Sequence, residues 1–256
     1  QDDIAILGFK VAANGSLAKY NLVDQTIDDF QDASGVNAGS SANEARDSAG
    51  KYYKGESTAT PSVSGNYDST AVDGDYTYYK WTTVTSSGSY TTDSAQDYEY
   101  LVVAGGASGG GGQHFGGGGG AGGMRLSTGF AVAATTITSI TVGAGGAAVS
   151  GANKGNDGAN SVFSTITSTG GGGGNNYSFA TARDGGSGGG AAGTQAAGVG
   201  DGINDAGTFG TATYQGHDGG TAVDVDAYCA GGGGGASAAG GNSTTSVGGV
   251  GGAGRA

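Results

Sequence analysis

The chain has 256 residues, enough for one large domain or two ordinary ones. It holds 60 glycines, one proline and one cysteine, with 12% charged residues and a formal net charge of −12. Collagen is excluded by the missing third-residue glycine register and the near absence of proline. The ten basic residues are unclustered, which excludes nucleic acid and an anionic membrane surface as partners. Apolar runs reach five residues, as in Tyr100–Ala104, against the ~20 of a membrane span, so no membrane insertion is expected.

Glycine divides the chain. Residues 1–100 hold nine glycines and residues 101–256 hold the other 51, so composition places a boundary near residue 100. In chain order, Ile4–Val11 is a β-like run ended by the turn signal Asn14-Gly15. From Ser16 onward, Leu17, Tyr20, Val23, Ile27 and Phe30 recur every three or four residues, predicting a short helix or helical turn. Residues 33–75 are polar and turn-rich and read as loop with one strand at most. Tyr76–Val84 and Tyr98–Ala104, with a turn at Ser87-Gly88, read as an antiparallel pair leading into the glycine-rich half. The expected organisation is an attachment or oligomerisation region over 1–75, the strand pair over 76–104, and a glycine-rich domain over 105–256.

Disorder is the first reading of so much glycine, because glycine loses the most backbone entropy on ordering. Short apolar segments interrupt the blocks, however, among them Phe130–Val132, Ile137–Val142, Val162-Phe163 and Tyr177–Phe179. Such anchors favour order. Polyglycine II offers the route. It has three residues per turn and no internal hydrogen bonds, so its N–H and C=O groups point outward and can bond to neighbouring helices. Only glycine lets backbones approach that closely. The predicted fold is therefore mainly β and irregular: a small β-rich N-terminal region, then packed polyglycine-II helices. Gly118, Gly172 and Gly233 lie at block centres and are the expected structural glycines.

Enzymatic chemistry finds no constellation here, and neither a catalytic role nor a cofactor is expected. Gly116–Gly123 lacks the Gly-Lys-Ser/Thr element of a phosphate loop. His114, His217 and Cys229 are too few and too scattered for zinc. The two histidines read as surface-loop residues or receptor contacts, and Cys229 as a small buried apolar group. Asp28, Asp29 and Asp32, or Asp224 and Asp226, read as solvated acidic faces rather than calcium ligands. The aromatics between glycine blocks carry more promise: Tyr177, Phe179, Phe209, Tyr214 and Tyr228. Such side chains give large contact area at low entropic cost.

A family likeness rests on an ordered string of motifs over about residues 76–256. These are Tyr98-Glu-Tyr-Leu-Val-Val-Ala-Gly-Gly, Gly116–Arg125, Ile140-Thr-Val-Gly-Ala-Gly-Gly, Gly158-Ala-Asn-Ser-Val-Phe, Tyr214-Gln-Gly-His-Asp-Gly-Gly and Gly231–Ala236. The string resembles the landmarks of phage glycine-rich tail proteins. Leu7–Gln25 also resembles a module of marine phage and environmental viral sequences. The first likeness implies a fold similar to the polyglycine sandwich of T-even long-tail-fibre adhesins. It further implies a virion-surface or extracellular fibre subunit that binds a host cell-surface protein or glycan, and that assembles with other virion subunits or copies of itself. On that reading Tyr177, Phe179, Phe209, Tyr214 and His217 are the receptor-binding candidates. The alternative is a self-assembling extracellular filament or matrix subunit in which Ile4–Val11 adds to a neighbour's sheet.

Overall fold

A computed structural model of the chain describes residues 9–11, 17–19, 44–46, 52–54, 63–73, 76–93, 95–112, 115–179, 181–193, 198–205, 208–223 and 229–255. The chain divides into two compact units, Gln1–Pro61 and Ser62–Ala256.

Among its described residues the first unit contains two antiparallel pairs. β1 (Phe9–Val11) pairs with β2 (Leu17–Lys19), Val11 opposite Leu17, and β3 (Glu44–Arg46) pairs with β4 (Tyr52–Lys54). The helix expected from Ser16 is therefore corrected at its start, because Leu17–Lys19 is a strand. Its periodic positions cannot outweigh pairing with the preceding β run. The rest of that segment lies outside the described residues. β3 and β4, with the strands Val63–Gly65 and Ser69–Asp73 of the second unit, also replace the loop with one strand at most expected over 33–75.

In the second unit, β5 (Val63–Gly65), β8 (Thr85–Thr92), β11 (Thr135–Val142), β12 (Ser161–Phe163) and β13 (Ile166–Ser168) form a five-stranded antiparallel sheet in the order β13-β12-β11-β8-β5. Two hairpin-like pairs stand apart from it in hydrogen bonding: β6 (Ser69–Asp73) with β7 (Tyr76–Lys80), and β9 (Gln96–Val103) with β10 (Met124–Val132). Side chains from both pairs converge on one face of the five-stranded sheet. Tyr79, Trp81, Tyr98 and Phe130 pack against a buried cluster of Tyr90, Val132, Ile137 and Ile140. The rings meet mainly edge to face, with centroids 5.5 Å apart for Tyr79–Tyr90 and 5.7 Å for Phe130–Phe163.

This arrangement changes the strand pair expected over 76–104. β7 and β9 are both strands but pair with β6 and β10, not with each other. Ser87-Gly88 is not a turn. It lies inside β8, where Gly88 faces Ile140. A Cβ on Gly88 would sit 2.7 Å from Ile140 Cβ, so glycine here makes room for a cross-strand neighbour. Gly129, with φ 71°, sits where the β9–β10 register shifts between Ser127 and Phe130, as a bulge requires.

The glycine blocks form no helix or regular strand among the described residues. Their hydrogen bonds repeat with period three. The N–H groups of Ala104, Ala107 and Gly110 reach the carbonyls of Gly123, Gly120 and Gly117 at 2.9–3.0 Å. Those of Gly105, Ser108 and Gly111 turn instead to Ala159, Asn156 and Asn153. Likewise Gly117, Gly120 and Gly123 donate to Asn175, Gly172 and Thr169, while Gly118 and Ala121 donate to Gly231 and Gly234. A strand would alternate partners every second residue, and an α-helix would bond within itself. A period of three with partners on several sides is polyglycine II. The glycine-rich half is thus a lattice of polyglycine-II helices, mostly antiparallel and interleaved with β10 to β13.

The lattice leaves no room for a side chain at its block centres, though the small side chains of Ser187 and Ala191 are buried within it. A Cβ on Gly118 would lie 2.6 Å from Gly233 N, and one on Gly172 or Gly233 would fall on the carbonyl oxygen of Arg183 or Gly119. At the edges, side chains replace missing neighbours. Asp157 Oδ1 accepts from Gly173 N, Asp184 Oδ1 from Asp201 N and Asp218 Oδ1 from Gly202 N, each at 2.8 Å. Asn160 and Asn242 accept in the same way from Gly170 N and Thr221 N. These carboxylates and amides satisfy backbone donors that would otherwise lack a partner.

Candidate functional site

Hydrogen-bond registers fix the direction of each glycine helix. Segment 104–111 leads away from the β-sheets, and 116–123 returns antiparallel to it and runs into β10. Segment 169–176 leaves β13 and also runs outward, antiparallel to 116–123. The lattice therefore has a sheet end and a far end. A seven-step polyglycine-II helix separates them by roughly 20 Å.

This topology splits the receptor-binding candidates. Tyr177 and Phe179 lie at the far end, and Phe209, Tyr214 and His217 lie at the sheet end. The far-end turn is built by two asparagines, both wholly buried. Asn176 Oδ1 accepts from Ser178 N at 2.9 Å, and its carbonyl accepts from Phe179 N at 3.0 Å, closing a turn. Asn176 Nδ2 donates to the Gly111 carbonyl. Asn175 Nδ2 donates to the carbonyls of Phe179 and Ala192 at 3.1 and 3.2 Å. With its backbone fixed from below, the turn holds the Tyr177 and Phe179 rings outward at 43% and 39% exposure. Phe115 tilts against Tyr177 with centroids 6.0 Å apart, and Lys154 Nζ stands 5.3 Å from the Phe179 ring centroid. The far end thus presents a rigid aromatic group beside the Lys154 cation.

The sheet-end group is built differently. Tyr214 stacks edge-on against Phe209 and His217, with centroids 5.3 and 5.5 Å away, and its hydroxyl lies 3.3 Å from His217 Nε2. Arg255 covers Phe209 at 4.7 Å. Leu126 N donates to Gly210 O, and Gly210 takes φ 92° against the Leu126 side chain. Buried Gln215 ties the same loop to the sheet, since its Oε1 accepts from Thr169 N at 2.9 Å and its Nε2 donates to Ala212 O at 3.0 Å. The three rings are half-buried here, while Gly210 and Gln215 join the loop to β10 and Gln215 also to Ser168 of β13.

His114, Tyr228, Asp28, Asp29, Asp32, Asp224 and Asp226 lie outside the described residues. Cys229 is half-buried. Among the described residues no group of three or more His, Cys, Asp or Glu could hold a metal, and no helix is long and apolar enough to cross a membrane. Sequence reading missed Phe115, Lys154, Asn175 and Asn176. The paired asparagines directly after Gly170–Gly174 were the available signal for a fixed turn.

No curated protein and no solved structure shows significant similarity to the chain. A family model described as a glycine-rich domain matches residues 82–256, from just before β8 through the whole polyglycine lattice. The chain therefore belongs to this glycine-rich domain family.

Proposed function

We propose that the protein is a virion structural component, a tail-fibre or appendage subunit on the virion surface, whose polyglycine lattice presents a host-receptor-binding tip. The observation that carries this reading is the far-end turn. Tyr177 and Phe179 are the two aromatic side chains in the described part of the lattice that are more than a third exposed, and buried asparagines hold their backbone. Exposed aromatics on a fixed scaffold bind a protein or glycan surface without a large ordering penalty. A lattice stabilised by backbone bonding also lets its turns vary without disturbing the interior, which suits recognition. In this reading the protein performs no catalysis and needs no cofactor.

The test is adsorption of purified protein to cells that bind the parent. Tyr177→Ala combined with Phe179→Ala is expected to weaken binding by about 2 kcal/mol or more, roughly thirtyfold, with an unchanged melting temperature. Phe209→Ala combined with Tyr214→Ala is expected to lower the melting temperature while leaving adsorption of the folded protein intact. Parental adsorption by the Tyr177/Phe179 variant would remove the far end from the mechanism.

A further inference from the structure

The layer that covers the five-stranded sheet is incomplete. β9–β10 and β6–β7 both pack onto that sheet, yet β9 and β7 are not hydrogen-bonded to each other. Between them lies a cleft of about 490 Å³. One wall is the unbroken run Thr77–Thr82 at β7, the other is Tyr98–Val103 of β9, and Ile140–Val142 with Ser161–Phe163 also line it. Both walls are strand edges.

The β9 edge is open in its hydrogen bonding. Ala104 N bonds Gly123 O, whereas Leu126 N and Met124 N turn away from β9 to Gly210 O and Gln215 O. Leu126 is opposite Leu101, and Met124 is opposite Val103. In an antiparallel ladder, opposed residues point their backbone groups either both inward or both outward. Leu101 and Val103 therefore direct N–H and C=O away from β10, and their side chains are 63% and 50% exposed. An open edge beside exposed apolar side chains is a template for an added strand.

We propose that the cleft receives residues 4–8 of a second copy of the chain as an inserted β-strand. These residues, Ile4-Ala5-Ile6-Leu7-Gly8, precede β1 and lie outside the described residues. Charge and chain length both point to them. In a chain of net charge −12 this run is uncharged, and the cleft lining carries only Lys80 and Glu99 as charged groups, one of each sign. Inserted as a strand, this run would set Ile4 and Ile6 on one face and Ala5 and Leu7 on the other, by period-two alternation. The eight residues before β1 span at most about 28 Å when extended, enough to cross a six-residue strand of about 20 Å. The insertion would complete the covering layer with backbone bonds on both sides. It is a head-to-tail contact, which closes into a ring or continues as a fibre.

Two variants of the full chain test this by analytical ultracentrifugation. Leu101→Pro removes a donor from the open edge without touching the β10 ladder, a position where a strand tolerates proline. Ile6→Asp spoils the inserted segment and leaves the cleft intact. The parent is expected to self-associate, and each variant to do so at least tenfold more weakly. An equimolar mixture of the two is expected to form a 1:1 dimer, because Leu101→Pro supplies a sound strand and Ile6→Asp a sound cleft. A monomeric parent, a single variant that assembles like the parent, or a mixture that stays monomeric would overturn the proposal. Should Leu101→Pro melt below the parent, Ile6→Asp alone decides, since its cleft is unaltered.

Discussion

Tyr90 donates its hydroxyl proton to the hydroxyl of Tyr98 across 2.7 Å, beneath the covering layer of the five-stranded sheet. Tyr90 is 2% exposed, and burial, reinforced by this bond, raises its phenol far above the usual value of 10.0. A raised folded-state pKa means that stability is fully present below pH 10 and is lost as pH climbs above it, because the unfolded chain ionises first. Tyr90→Phe is expected to lower the melting temperature at pH 7 by a few degrees, reflecting about 1 kcal/mol for the lost bond. The same variant should lose less stability than the parent between pH 10 and 11. Thermal melts at both pH values check this, and an alkaline sensitivity equal to the parent's would count against the assignment.

Asp68 organises the exposed turn after β7. Its Oδ2 accepts from the backbone N–H of Thr82 at 2.5 Å and of Thr83 at 2.7 Å, and from Thr82 Oγ1 at 3.0 Å. The Thr82 and Thr83 amides hold its carboxyl below the ordinary 3.8. A depressed pKa contributes stability above pH 3.8 and loses it as pH falls through the folded value. Asp68→Asn is expected to flatten that acid limb of the stability curve. An acid-unfolding profile identical to the parent's below pH 4 would exclude the mechanism.

Glycine substitutions should separate by position. Valine at Gly118, Gly172 or Gly233 drives a side chain into a neighbouring backbone, and each is expected to cost at least 1–3 kcal/mol. At about 2–4 °C per kcal/mol for a unit of this size, calorimetry resolves the loss. Alanine at Gly251 or Gly254, where an added Cβ meets nothing within 4 Å, should leave the melting temperature unchanged. Equal effects at the two classes of site would contradict a close-packed lattice.

Gln215 should behave as a core residue despite its polarity. It is 3% exposed and accepts from Thr169 N while donating to Ala212 O. Gln215→Leu strands a buried donor and acceptor and is expected to cost about 1–3 kcal/mol. A smaller loss on Gln215→Glu, which keeps the acceptor for Thr169 N, would attribute the effect to that bond. Chemical denaturation of both variants measures the difference.

Composition determined the character of the glycine-rich half. The glycine blocks of residues 101–256 cannot hold an α-helix and carry no side chains to pack, so their order had to come from backbone bonding between glycine helices. The β character of Phe9–Val11, Tyr76–Lys80 and Tyr98–Val103 was equally local, since β-branched and aromatic residues announce it. Pairing was not local. β7 and β9 look like partners in the sequence, yet each found another strand, because partner choice depends on what lies across the gap. Gly88 looked like a turn residue because glycine's usual signal is conformational, whereas its task in β8 is to clear space for Ile140. The largest gap concerned the aromatics. Tyr177 and Tyr214 sit in similar glycine-flanked settings, and sequence alone treats them alike. Only the direction of each helix, set by hydrogen-bond registers between segments distant in the chain, sends one to the far end and leaves the other at the sheet end, packed against Phe209 and His217.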